Sequence, residues 1–401
     1  MKPIPIDRAL EILDAATAAL GTEEIALEDA LHRVTAEAVA ARCDLPMFDQ
    51  SAMDGYALRA ADSANAPVRL PLADTVAAGP HDEIPGLPVG HACRIFTGGL
   101  LPQGADAVIR QEWTESLDGE VLVQRAVAVG HDARARGEEL QAGTRLCEAG
   151  QRLTPGLIGA LAMAGVATVS VYRQPRICVL VSGDEIIDAG QTPRPGEVFN
   201  ANGPLIGAWL RKKGLPATEI SCVKDEPEQV SAALARGFSD FDLIISSGGV
   251  SVGDRDLIVP EAEKLGAQRL FWKVAQKPGK PVFVAQKGRA LLMGLPGNPA
   301  SVLVNLAVFV RRVLGRLSGL RDPAPAFHPG RLASAVKADA RRETWLRVRT
   351  ELNAEGQLIL HPQGRQASHM LSNLSQATAI ARLPASETDI PAGTLLDFAD
   401  L

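Results

Sequence analysis

Residues 243–251 read Leu243-Ile244-Ile245-Ser246-Ser247-Gly248-Gly249-Val250-Ser251, an apolar run that passes without a break into serines and glycines. A short apolar run bounded by turn residues suits a strand buried on both faces, as strands in parallel sheets are. The same transition occurs twice more. Residues 177–181 run into Ser182-Gly183-Asp184-Glu185, and 291–295 run into Pro296-Gly297-Asn298-Pro299. Between and beyond these runs, strand-like segments (219–223, 270–274, 282–285) alternate with helix-like ones (205–213, 230–236, 257–265, 302–314). Such alternation over 175–321 predicts an α/β domain with a largely parallel sheet covered on both faces. Ligands of such sheets sit at the carboxyl ends of the strands.

That is where the three loops converge. Glycines let backbone amides approach an anion, and serine hydroxyls add donors. Ser182, Gly183 and Asp184, then Ser247, Gly248, Gly249, Val250 and Ser251, then Pro296, Gly297 and Asn298 are therefore candidate phosphate-binding positions. Any one of these loops is also explained as a tight strand-to-helix turn; the three together, with acids beside them, favour phosphate. Asn298-Pro299 additionally reads as an N-cap followed by proline at the first helical position. Asp184, Glu185, Asp225, Asp254 and Asp256 supply hard oxygen ligands of the kind that hold Mg²⁺ against phosphates. Asp225, just before Glu226-Pro227, serves equally well as a helix-start residue. Read as one strand, 270–277 places Lys273 and Lys277 on the same face, roughly 13 Å apart. Lys280 adds a third cation on the Lys277-Pro278-Gly279-Lys280-Pro281 turn, although solvated surface lysines are the ordinary explanation for such residues.

Outward from this domain the pattern changes on both sides. Apolar residues at three-to-four spacing predict a helix over 6–20, ended by Gly21. Short runs separated by Gly and Pro over 47–137 predict a small β-domain. A helix near 155–163 and a strand over 167–172 are assigned, with the first helix, to a discontinuous domain of residues 1–46 and 138–174. After 321, the Pro-rich stretch Asp322 to Gly330 marks a linker that is stiff and holds the last domain away from its own α/β domain. Residues 322–401 then predict a C-terminal β-barrel. Arg347, between Leu346 and Val348, points to the opposite face from those neighbours.

The 401 residues require several folding units, and a formal charge of −6 lacks the basic excess of a nucleic-acid binder. Five scattered cysteines read as buried thiols in a reducing cytosol. Acidic residues interrupt the first helix, so no signal peptide is expected, and no stretch reaches the ~20 apolar residues of a membrane span. The expectation is a cytoplasmic protein with a small-molecule ligand.

The segment Phe48-Asp49-Gln50-Ser51-Ala52-Met53-Asp54-Gly55-Tyr56-Ala57 exceeds what an Asp-Gly turn needs. It resembles the hallmark of the molybdopterin molybdenumtransferases, which include the bacterial MoeA proteins and the E domain of gephyrin. The resemblance continues through Thr97-Gly98, Arg136-Gly137-Glu138, the three loops above and Lys277-Pro278-Gly279-Lys280-Pro281, and so spans the chain. It implies an elongated homodimer of four-domain chains that binds adenylylated molybdopterin, takes up molybdate and, with Mg²⁺, releases AMP and molybdenum cofactor. Positions matching the family's functional residues are Asp54, Thr97, Glu185, Asp225, Asp256, Lys273, Lys277, Arg347 and Ser368, with Lys280 beside them. Glu185, Asp225 and Asp256 would hold the metal. Arg347 and Ser368 of one chain would lie against the α/β cleft of the other. Molybdopterin adenylyltransferase and recipient molybdoenzymes are the implied partners, without nucleic acid or membrane. The chain departs from the family at Glu139, where Asp is usual, and at Ser182, where Thr is usual. A molybdopterin adenylyltransferase shares the Ser-Gly-Gly loop but lacks the Met-Asp-Gly-Tyr segment and flanking β-domains. A gephyrin-like scaffold is the reading from a different functional class.

Overall fold

The structure is a computed structural model, describing residues 2–250, 256–324, 327–364, 366–368, 370 and 374–401. Its central sheet has six strands in the order Glu219–Val223, Ile177–Ser182, Leu243–Ser247, Ala290–Leu295, Phe283–Lys287, Gln268–Trp272. The first four are mutually parallel, and the last two form an antiparallel extension. The three strands that feed the glycine loops are buried at every position. Helices cover both faces. Ile206, Trp209 and Leu210 of Asn202–Lys212 and the stripe Val302, Leu306, Phe309, Val310, Val313 pack on one side, while Val230, Leu234 and Ile258 pack on the other.

The first helix runs Ile6–Ala16, stopping short of Gly21 because Thr17 turns extended and donates its hydroxyl to the Leu13 carbonyl at 2.6 Å. Its partner also differs from the expected one. Ile6, Ala9 and Leu13 join the core of the α/β domain, and Asp14 forms a two-pronged ion pair with Arg312. The rest of the discontinuous unit assembles from both segments. Thr22–Ala26 pairs antiparallel with Thr168–Tyr172, and Leu27, Leu153, Leu161 and Val171 form its core. The β-domain between them is a six-stranded sheet centred on Gly55–Leu58, Ala92–Ile95 and Val68–Val76.

A single strand over 270–277 does not form. Strand pairing ends at Trp272, Lys273 takes φ +75°, and Gln276–Lys277 leaves the central sheet. It pairs instead, in parallel, with Glu343–Thr344 of the last domain. That domain is a closed barrel in which Ala379–Leu383 bonds both Leu395–Asp400 and Glu343–Leu352.

The linker does not hold this barrel at a distance. Trp345, Ile380 and Leu401 enter the α/β core, and the Trp345 indole N–H donates to Gln276 Oε1 at 3.1 Å. Arg347 does point away from Leu346 and Val348, which pack inside the barrel. It is nonetheless fully buried, donating to the Ala367 carbonyl at 3.2 Å. All five cysteines are free, but Cys222 is exposed and Cys43 partly so, against the expectation that all are buried. Among the described residues, no helix is long and apolar enough to cross a membrane.

Candidate active site

The three glycine loops meet as the strand order requires, and they enclose a cavity of about 610 Å³. Ser182, Gly183, Ser247, Gly248, Gly249, Gly297 and Asn298 line it, with the acids Glu185, Asp225 and Asp256. Two glycines are forced. Gly248 and Gly249 take φ +97° and +65°, and a Cβ on Gly248 would stand 2.5 Å from the Ser182 carbonyl oxygen. Trp272 fixes the far end of this loop, its indole N–H donating to the Val250 carbonyl at 3.0 Å. Val250 itself is buried in the core. Ser251 and Asp254 lie outside the described residues.

Asn202, absent from the candidates drawn from the sequence, ties two loops together. Its Nδ2 donates to Ser247 Oγ and to the Gly297 carbonyl, each at 2.7 Å. Asparagine at a helix start is ordinarily read as a cap, but here Ala201 holds that position, and Asn202 is buried behind the cavity. The first turn of the helix it opens is closed locally, the Gly203 amide donating to Asn200 Oδ1 at 2.9 Å and the Leu205 amide to the Ala201 carbonyl at 3.1 Å. Two buried polar atoms of residues that line the cavity, Ser182 Oγ and Asn202 Oδ1, have no hydrogen-bond partner among the described residues. Buried polar atoms in native proteins are normally paired, and of these two only the Ser182 hydroxyl can donate to an anion.

Asp225 is not the helix cap; Glu226 is. Its amide donates to Asp184 Oδ1 at 3.1 Å, and burial, followed by the charges of Asp184 and Glu185, raises its carboxyl above the ordinary aspartate range. Crowded carboxylates of this kind favour a cation. Among the described residues, however, no three His, Cys, Asp or Glu side chains are close enough to hold a metal unaided. The three acids expected to hold the metal therefore do not form a complete ligand set by themselves.

A second cavity, of about 300 Å³, adjoins the first at Asn298 and lies between the α/β domain and the barrel. Lys277, Lys280 and Arg342 line it, facing Ser368 and Pro296. Lys277 Nζ stands 4.0 Å from Asp339, whose carboxyl is held low by Arg342 first and by Lys277 last. Lys273 lines neither cavity, its ammonium resting over the Trp272 ring at 4.6 Å. Asn298 makes no side-chain cap bond to its helix; its Nδ2 crosses to Ser368 Oγ at 3.2 Å.

Asp54 and Thr97 come together in the β-domain and line neither cavity. Asp54 Oδ1 accepts from the Thr97 amide and hydroxyl, both at 2.8 Å, and the amide bond leads in holding its carboxyl low. Gly55 opens a strand rather than serving a turn, because a Cβ there would meet the Ile109 carbonyl oxygen at 2.0 Å. Arg94 then stacks over both Tyr56 and Phe96.

Known proteins resemble the chain along its whole length. Residues 4–165 match the description "MoeA N-terminal region (domain I and II)", 178–316 "Probable molybdopterin binding domain" and 329–401 "MoeA C-terminal region (domain IV)". The molybdopterin molybdenumtransferase of Nostoc sp. is 35% identical over 93% of this chain and 87% of its own. The chain belongs to the molybdopterin molybdenumtransferase family. The Bacillus subtilis member is 33% identical over 95% of this chain and 90% of its own. Among solved structures, a molybdopterin biosynthesis MoeA protein of Pyrococcus horikoshii superposes with a TM-score of 0.81 at 28% identity, covering 100% of this chain and 99% of that one. The family's domain series therefore maps onto the β-rich N-terminal half, the α/β domain with its cavity, and the barrel docked beside it.

Proposed function

We infer that this chain is a molybdopterin molybdenumtransferase, which receives adenylylated molybdopterin and molybdate and releases AMP and molybdenum cofactor. The observation that carries the reading is the large cavity at the strand ends, walled by the Gly183, Gly248, Gly249 and Gly297 loops with Ser182 and Ser247 among them and the acids Glu185, Asp225 and Asp256 beside them. A pyrophosphate supplies acceptors and charge suited to loop amides and serine hydroxyls. Breaking such an anhydride depends on positioning and charge neutralisation more than on a protein nucleophile. The loops of Gly183, Gly248 and Gly297 bind and orient the phosphates. One or two of Glu185, Asp225 and Asp256 would hold Mg²⁺, which when bound offsets phosphate charge. Lys277 and Lys280, in the adjoining basic cavity, suit molybdate as an oxyanion. Asn298, which lines both spaces, would sit between the two substrates.

The dimer belongs to the same reading, as do transfer from a molybdopterin adenylyltransferase and delivery to molybdoenzymes in the cytoplasm. The intrachain Asn298–Ser368 bond puts Ser368 at its own chain's cleft, so a site shared between subunits would have to draw on another part of the partner chain. The test is incubation with adenylylated molybdopterin, Mg²⁺ and molybdate while AMP is measured. Molybdate-dependent AMP release is expected; none with folded protein would overturn the reading.

A further inference from the structure

A third cavity, of about 320 Å³, shares no lining residue with the two described. It forms where three parts of the chain meet: His32 and Arg152 of the N-terminal half, residues 209–215 and 311–315 of the α/β domain, and the linker at Asp322 and Pro323. Four cations line it, Arg152, Lys212, Lys213 and Arg311, against the single acid Asp322. Arg152 donates to the His32 carbonyl at 2.9 Å and to the Lys213 carbonyl at 3.4 Å, and Lys212 donates to an oxygen of Leu401, the last residue. Lys213 lies over the Trp209 ring, 5.5 Å from its centre. Among the described residues no Asp or Glu side chain is within ion-pair distance of any of the four, although Asp400 is near enough to act on Lys213 and Arg311.

Lys212 is exposed, but Arg152, Lys213 and Arg311 are partly buried, and cations gathered partly out of water cost free energy that an anion joining them would offset. Burial is the main influence on three of them. It lowers Lys213 to about 8, helped by Arg311 and Lys212 and opposed by Asp400, and it lowers Arg152 and Arg311 as well. The remaining wall is apolar, with Trp209, Leu215 and Leu314 nearly covered. The space exceeds what a bare oxyanion fills, since one water occupies about 30 Å³ of liquid.

We propose that this cavity is a second ligand site that takes a small organic anion, its phosphate or carboxylate head on Arg152, Lys213 and Arg311 and its apolar body against Trp209 and Leu215. The ligand would bridge the N-terminal half, the α/β domain and the linker, and so would stabilise their packing through mass action.

Phenyl phosphate and inorganic phosphate are the probes, titrated calorimetrically into the full-length protein and into a Lys213→Met/Arg311→Met variant. Phenyl phosphate is expected to saturate one site that the double variant weakens at least tenfold, and inorganic phosphate to bind at least tenfold more weakly than phenyl phosphate. The variant's unliganded Tm should equal or exceed that of the parent, because two crowded cations are gone. Should the double variant fail to fold, Arg152→Gln is read the same way. No binding to the parent protein, or binding unchanged in the variant, overturns the proposal. Equal affinity for the two probes overturns the assignment of Trp209 and Leu215 to the ligand body.

Discussion

Asn298 of the α/β domain donates its side-chain amide to the hydroxyl of Ser368, carried by the barrel, across 3.2 Å. The residue that begins a helix thereby spends its side chain on another domain, at the point where the two adjoining cavities meet. Ser368→Ala should leave the fold intact, since an exposed neutral hydrogen bond contributes only about 1 kcal/mol. AMP release should nevertheless fall about tenfold, an effect of about 1.4 kcal/mol on the barrier. Matched thermal melts and AMP kinetics check this, and unchanged kinetics would confine the bond to a structural role.

Gly248→Ala introduces two faults at once, a Cβ 2.5 Å from the Ser182 carbonyl oxygen and a side chain at φ +97°. Backbone strain of this kind costs roughly 1–3 kcal/mol. Urea titration should show that loss, and nucleotide binding should weaken because the loop must shift. A variant as stable as the parent would mean the loop relaxes without cost.

Asp225→Asn tests the crowded carboxylates through pH. Because the folded protein raises the Asp225 carboxyl, its neighbours oppose ionisation. The favourable contribution of the protonated group is complete below the unfolded value and is lost as pH rises through the folded one. At pH 7 the variant should therefore melt higher than the parent, and near pH 3 the difference should vanish. Mg²⁺ should raise the parent's Tm more than the variant's. A variant that melts lower at pH 7 would place Asp225 in a stabilising interaction instead.

Lys277→Ala should weaken the response to molybdate more than it weakens binding of the adenylylated pterin, because Lys277 lines the smaller basic cavity and not the larger one. Separate titrations of the two ligands decide it. Equal losses would assign Lys277 to the phosphates.

The central sheet was legible because buried parallel strands are written as continuous apolar runs, and each of the three ran straight into glycine. Partners were less legible than elements. The stripe Ile6, Ala9, Leu13 says that a helix buries one face, but the face it meets belongs to residues some three hundred positions away, including Arg312. The break at Lys273 carried no signal, since neither Gly nor Pro stands there and the positive φ is imposed by the hydrogen bonds around it, from the Ile4 amide to its carbonyl and from its own amide to Val282. Asn202 was hidden for the opposite reason: a plain local explanation, the helix start, was available for a residue whose bonds are all long-range. For Arg347, strand alternation gives direction but not what lies in that direction.

The two-residue strand Gln276–Lys277 leaves the central sheet to lie beside Glu343–Thr344. Lys277 is thus clamped by main-chain bonds to the barrel while Gln276 holds Trp345 in the α/β core. The gap between residues 316 and 329, where recognisable sequence families change, is consequently not a mechanical seam. Cutting the chain there would strip a ladder from one sheet and pull an indole out of the other domain's interior, so the barrel cannot be exchanged as a cassette.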